Sequence, residues 1–165
     1  MRRITSLNDL LMEEIAELLD AESRLAAALP KMAAASHSPV LKSLFQGHLE
    51  FKRKQAGRLQ DIFRNMGEAP YGRDCKGVKG LLHETENVIR NSEKGPLRDN
   101  AIIGLARQLE HYEIAGYKTA REHAADVGHG RIVEMFEKAL SEERAMSLRL
   151  NVLAQNQNSV TAHQS

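Results

Sequence analysis

Gln108-Leu109-Glu110-His111-Tyr112-Glu113-Ile114-Ala115-Gly116-Tyr117 is the stretch on which the reading of this chain turns. It lies inside a long helical pattern whose inner line is Ile103, Ala106, Glu110, Glu113, Tyr117, Ala120, Ala124 and Val127, at spacings of three and four. A plain amphipathic helix would be apolar along that line. Here two carboxylates interrupt it. Glu110 and Glu113 are ~300° apart around the helix, or about 60° the short way, so both point into one cleft. Pro96 sits at the start of this helix and Gly128 at its expected stop.

The segments on either side repeat the design. The first runs from about Ser6 to Ser36, with Ser6 and Asp9 spaced like a capping box. Leu11, Ile15, Leu18, Glu22, Leu25 and Leu29 form its inner face, again with one acid inserted. Pro30 falls inside the pattern and predicts a kink or an end, followed by one more turn through Ala35. The second segment opens at Ser38-Pro39, follows Leu41, Leu44, His48, Phe51, Gln55, Leu59 and Ile62, and stops at Gly67. Residues 67 to 77 read as a loop, and a short helix is predicted over Val78 to Asn91. The last long segment follows Ile132, Phe136, Leu140, Glu143, Ser147, Leu150 and Ala154. The expected architecture is all-α: one four-helix bundle domain over residues 1–155, a short extra crossover helix, and a polar, disordered tail over 156–165.

Composition agrees with helices packed on helices. Of 165 residues, 42% are hydrophobic but only 4% aromatic, with no Trp, so the core must be Leu, Ile, Val, Ala and Met. The net charge of +1 supplies no basic field for nucleic acid. No apolar run approaches the ~20 residues of a membrane span, and the N-terminus lacks the apolar core of a secretory signal. A cytoplasmic location is therefore expected. The single cysteine, Cys75, rules out an intrachain disulfide or a thiolate metal cage within one chain. Nothing near it in sequence would activate it as a nucleophile. Phosphate-loop and nucleophile-elbow patterns are absent.

The inner lines collect Glu22, His48, Gln55, Glu110, Glu113, Glu143 and Ser147. A lone buried carboxylate costs several kcal/mol. Four acids at one level of a bundle repel unless something positive lies between them. A metal pair does this, and carboxylates are hard ligands that suit iron or manganese. A single inward Glu is more often a boundary residue whose head reaches water. Lys52 lies ~40° from His48 around the helix and is itself placed to reach the acids and neutralise part of their charge.

Asp20-Ala21-Glu22, His48-Leu49-Glu50 with Gln55, Gly80-Leu81-Leu82 with Glu84, Arg98-Asp99, the Glu110–Tyr117 run, and Leu140 with Glu142-Glu143 together resemble the YciE/YciF family of ferritin-like bacterial stress proteins. The resemblance spans about Leu7 to Ala154. It implies a ferritin-like bundle, a homodimer, a stress role and a carboxylate centre able to hold iron (a di-iron pair) or manganese. Glu22, Glu110, Glu113 and Glu143 would be its acids and His48 a nitrogen ligand. Any turnover would be weak iron oxidation or peroxide scavenging. The chain departs from the family pattern where His-Leu-Glu-Glu-Thr becomes His48-Leu49-Glu50-Phe51-Lys52, and where Ser147 replaces an Asp. Two potential oxygen ligands are thereby missing. The other reading is accordingly a non-catalytic structural or interaction bundle with a degraded site. Whether Glu84 or His111 contributes is left open.

Overall fold

Local chemistry decides where each helix begins. In the computed structural model, which describes residues 3–161 and the side chains of 3–156, α1 spans Leu7–Ala35. Ser6 Oγ accepts the Asp9 N–H at 3.1 Å, while the Asp9 carboxylate takes the Thr5 N–H and hydroxyl at 2.9 and 2.7 Å. The capping pair therefore forms with its return bond shifted one residue back. Pro30 does not end α1. The helix continues to Ala35, its last turn held by buried Met32 and Ala33. α2 spans Pro39–Asn65, with Ser38 as its cap and Pro39 in the first turn. It gives way to Gly67 at φ 73°, a left-handed conformation that glycine adopts without a Cβ clash. α3 spans Lys76–Asn91, α4 Pro96–Asp126 and α5 Gly130–Thr161. The turn between α4 and α5 uses Gly128 at φ 80°. Among the described residues there is no strand.

The stretch expected as a tail from residue 156 begins as a continuation of α5. No proline or glycine follows Gly130 to break that helix. Residues 162–165, including His163, lie outside the described residues.

Two apolar clusters orient the bundle. Leu11 and Ile15 of α1, Leu59 and Ile62 of α2, Tyr117 and Ala120 of α4, and Phe136 and Leu140 of α5 form one. Leu29 and Met32, Leu41 and Phe45, Ile102 and Ile103, and Met146 and Leu150 form the other. Helices α1 and α5 thus run from the first cluster to the second, and α2 and α4 run the opposite way. The crossover carries the chain from the end of α2 to the start of α4 along the outside of the bundle. Tyr71 OH donates to Glu13 at 3.0 Å, the Arg73 N–H to the Ala16 carbonyl at 3.1 Å, and the Cys75 N–H to Asp20 at 2.8 Å. Val78, Leu81 and Leu82 then pack on Ala21, Leu25 and Leu109. At the other end, buried Asp99 accepts the His37 and Ser38 N–H groups at 2.8 and 2.7 Å, tying the α1–α2 turn to α4. Helix α1 packs on α2 and α4 on α5, whereas α2 and α5 meet over much less surface. No helix is long and apolar enough to cross a membrane.

Candidate metal centre

Between the two apolar clusters lies a layer of polar side chains, and position 52 is its centre. The buried line of α2 runs Leu41, Phe45, His48, Lys52, Gln55, Leu59, Ile62, an unbroken alternation of four and three. Leu44 and Phe51, expected on that line, are not part of it. Leu44 is half-buried, and Phe51 is 40% exposed. The substitution that meets the acids is therefore Lys52, which is 0% exposed.

Lys52 Nζ donates to Glu113 Oε2 at 2.7 Å and to Glu143 Oε1 at 2.9 Å, and lies 3.4 Å from Glu22 Oε2. These acids come from α4, α5 and α1, so one ammonium joins all four long helices. Its three N–H groups and single charge match this arrangement. Tyr117 OH donates to the other oxygen of Glu22 at 2.7 Å. Tyr117, which packs in the first apolar cluster, thus also orients an acid. No local pattern signals this contact.

The protonation of the layer follows from burial set against one internal cation. Burial pushes Glu22 up to about 7, with the Lys52 charge opposing. Burial likewise holds Glu110 and Glu113 well above the usual carboxylate range. Glu143 feels the same burial, but Lys52 and a hydrogen bond from Glu110 outweigh it and bring Glu143 below its ordinary value. Burial also opposes the charge on Lys52, yet the surrounding acids keep its pKa raised. His48 is pushed down to about 3 by burial and by the Lys52 charge, so its imidazole is neutral. The four acids share protons as one system.

All five expected ligands, Glu22, His48, Glu110, Glu113 and Glu143, are buried and brought together. Among the described residues they form two overlapping triads with ligand atoms within 4.8 Å of one another: Glu22, Glu113 and Glu143, and His48, Glu110 and Glu143. A pair of metal ions does not fit. The first triad already surrounds the ammonium of Lys52, whose positive charge stands among the three carboxylates where an ion's would. In the second, His48 Nε2 faces Glu110 Oε1 at 3.3 Å and makes no hydrogen bond.

The remaining candidates stand apart. Glu84 and His111 are exposed, and His111 Nδ1 pairs with the Arg107 carbonyl of its own helix. Ser147 is buried on α5, one turn beyond Glu143. Glu142 is partly covered and takes a two-pronged pair from Arg58 at 2.7 and 3.2 Å. Cys75 is buried beside Tyr112 and Glu17, and burial pushes its thiol up, away from nucleophilic use.

Comparison with known proteins places this geometry in a family. The family described as a domain of unknown function, DUF892, matches residues 6–163. Protein YciF of Escherichia coli (strain K12) is 32% identical over 152 residues, which is 92% of this chain and 92% of that protein. The crystal structure of the E. coli stress protein YciF superposes with a TM-score of 0.90 at 30% identity, covering 94% of this chain and 99% of that one. YcfI of Rhodopseudomonas palustris gives 0.86 at 35% identity, covering 91% and 96%. A ferritin-like, diiron-carboxylate protein from Bacillus anthracis gives 0.72 at 20% identity, covering 92% and 99%, and this shared architecture is the ferritin-like fold. With its ferritin-like bundle and its layer of inward acids, this chain belongs to the DUF892 family, the YciE/YciF group.

Proposed function

We propose that this protein is a non-catalytic, structural or interaction member of its family, acting in the bacterial stress response, with its central site closed by its own cation. One observation carries the reading: Lys52 Nζ at 2.7, 2.9 and 3.4 Å from Glu113, Glu143 and Glu22. Oxidation of ferrous iron by oxygen or peroxide at a carboxylate bundle draws on two irons held side by side by shared acids. In this chain Glu143, the acid the two triads share, is paired together with Glu22 and Glu113 to an ammonium that cannot leave without unpairing three buried carboxylates. The stress role is carried over from the E. coli relative described as a stress protein. A cytoplasmic homodimer belongs to the same reading.

The test is to load the protein anaerobically with ferrous iron, desalt, count bound metal, and then follow oxidation in air. The expected result is fewer than two irons per chain and no oxidation above the buffer rate. Lys52→Thr should gain metal. Two irons retained per unmutated chain, or catalysed oxidation, would overturn the proposal.

A further inference from the structure

The side of the bundle where α2 and α5 meet is loosely packed, and small residues are the reason. Ser43 and Gly47 from α2, with Ser141 and Ala145 from α5, line a cleft of about 270 Å³ there. A Cβ built on Gly47 would meet no atom within 4 Å, so the space beside it is open. A cavity of ~150 Å³ holds a benzene ring, so this cleft has room for one ring with a short side chain.

The walls suit an apolar body. Leu44 and Phe51 form one side and Met146 part of the other, and His48, 6% exposed, closes the inner end. Phe51 is the odd member of its kind: Phe45, Phe63 and Phe136 are at most 1% exposed, whereas Phe51 is 40% exposed. An aromatic face left at the edge of an open cleft is surface that a bound ring would remove from water.

The charge in the cleft is unbalanced. Its acid, Glu142, is met by both prongs of Arg58. Its remaining cation, Arg149, has no ion pair or hydrogen bond among the described residues. Lys54, 6.0 Å from the centre of the Phe51 ring, adds positive charge at the edge. A guanidinium recognises a planar carboxylate by two parallel hydrogen bonds, and the exposed Ser43 and Ser141 hydroxyls can donate beside it. One unmatched guanidinium calls for one negative charge.

We propose that the α2–α5 cleft binds a small aromatic monocarboxylate, with its ring against Phe51, Leu44 and Met146 and its carboxylate on Arg149. This site lies outside the closed acid centre and needs no metal.

The probe is 3-phenylpropionate, titrated by calorimetry with a chelator present throughout, so that no ion can bridge the carboxylate to His48. The expected result is one ligand per chain with a Kd at or below about 1 mM, the range open to so small a molecule. Arg149→Ala should weaken binding at least tenfold, and so should replacing the probe by the neutral 3-phenylpropanol. Phe51→Ala should weaken it severalfold. Gly47→Leu fills the open space with a better helix former and should abolish binding while helicity is kept. Both Arg149 and Phe51 are exposed, so their variants should fold. No saturable binding, or a Kd above about 1 mM, overturns the proposal. Equal binding of the alcohol, or unchanged binding by Arg149→Ala, overturns it by removing the charge recognition. Unchanged binding by Gly47→Leu places the ligand elsewhere and overturns it too. None of these results bears on the Lys52 closure, which the iron-loading test decides separately.

Discussion

Replacing Lys52 by methionine keeps most of the side-chain volume and removes the charge. Two short charge-assisted bonds and a third ion pair disappear from a site with no solvent exposure. Breaking a buried pair by removing one partner costs about 3–5 kcal/mol. In the variant the acids must replace the missing positive charge with at least one proton beyond those the unmutated layer holds. The folded variant then binds more protons than the folded parent, so its relative stability falls as pH rises, by about 1.4 kcal/mol per unit for one proton. Between pH 5.5 and 8 that amounts to roughly 3.4 kcal/mol. Urea unfolding of both proteins at the two pH values measures it. The variant should be destabilised mildly at pH 5.5 and severely at pH 8. An equal loss at both values, or a loss below ~1 kcal/mol at pH 8, would show that Lys52 does not neutralise these acids.

Three further outcomes follow from the same structure. Glu22 holds its proton up to about 7 in the folded protein and only to 4.5 as an ordinary carboxyl, so the folded state binds more protons across that window and stability is lost as pH climbs through it; the thermal midpoint should be lower at about pH 8 than at about pH 5, and Glu22→Gln should shrink the difference. Asp99→Ala strands the His37 and Ser38 N–H groups at the α1–α2 turn and should cost ~2–4 kcal/mol in urea unfolding, with Asp99→Asn recovering part. Gly77→Ala would press a methyl into the Tyr112 ring, 2.7 Å from Cζ, and should cost ~1–3 kcal/mol and alter the near-ultraviolet tyrosine dichroism.

Much of the fold is legible because its signals are local. The Ser6–Asp9 cap, the Ser38-Pro39 start and the two left-handed glycines at 67 and 128 each act within a few residues of chain. The inner line of α4 reads correctly through Ala124 because a helix of uniform pitch repeats its face. Past Pro30 the helix makes the one further turn to Ala35 that its sequence predicts, with Met32 and Ala33 buried. On α2 the pattern misleads. Preference for apolar residues draws the line through Leu44 and Phe51, one step early, when the geometric line continues through Phe45 and Lys52. A lysine on an inner line looks wrong by hydrophobicity, and nothing adjacent in the chain explains it.

The amino-acid sequence alone determined a helical bundle with acids on the inner faces of three helices, a histidine on the fourth, and membership of a recognisable family. The tertiary structure decided what those acids hold. Lys52 meets Glu113 and Glu143 across 61 and 91 residues of chain, and meets Glu22 from a third helix. Its burial is favourable only because folding places all three carboxylates around it at once. Periodicity reports which way a side chain points from its own helix, and the charge it finds there is set by the other three.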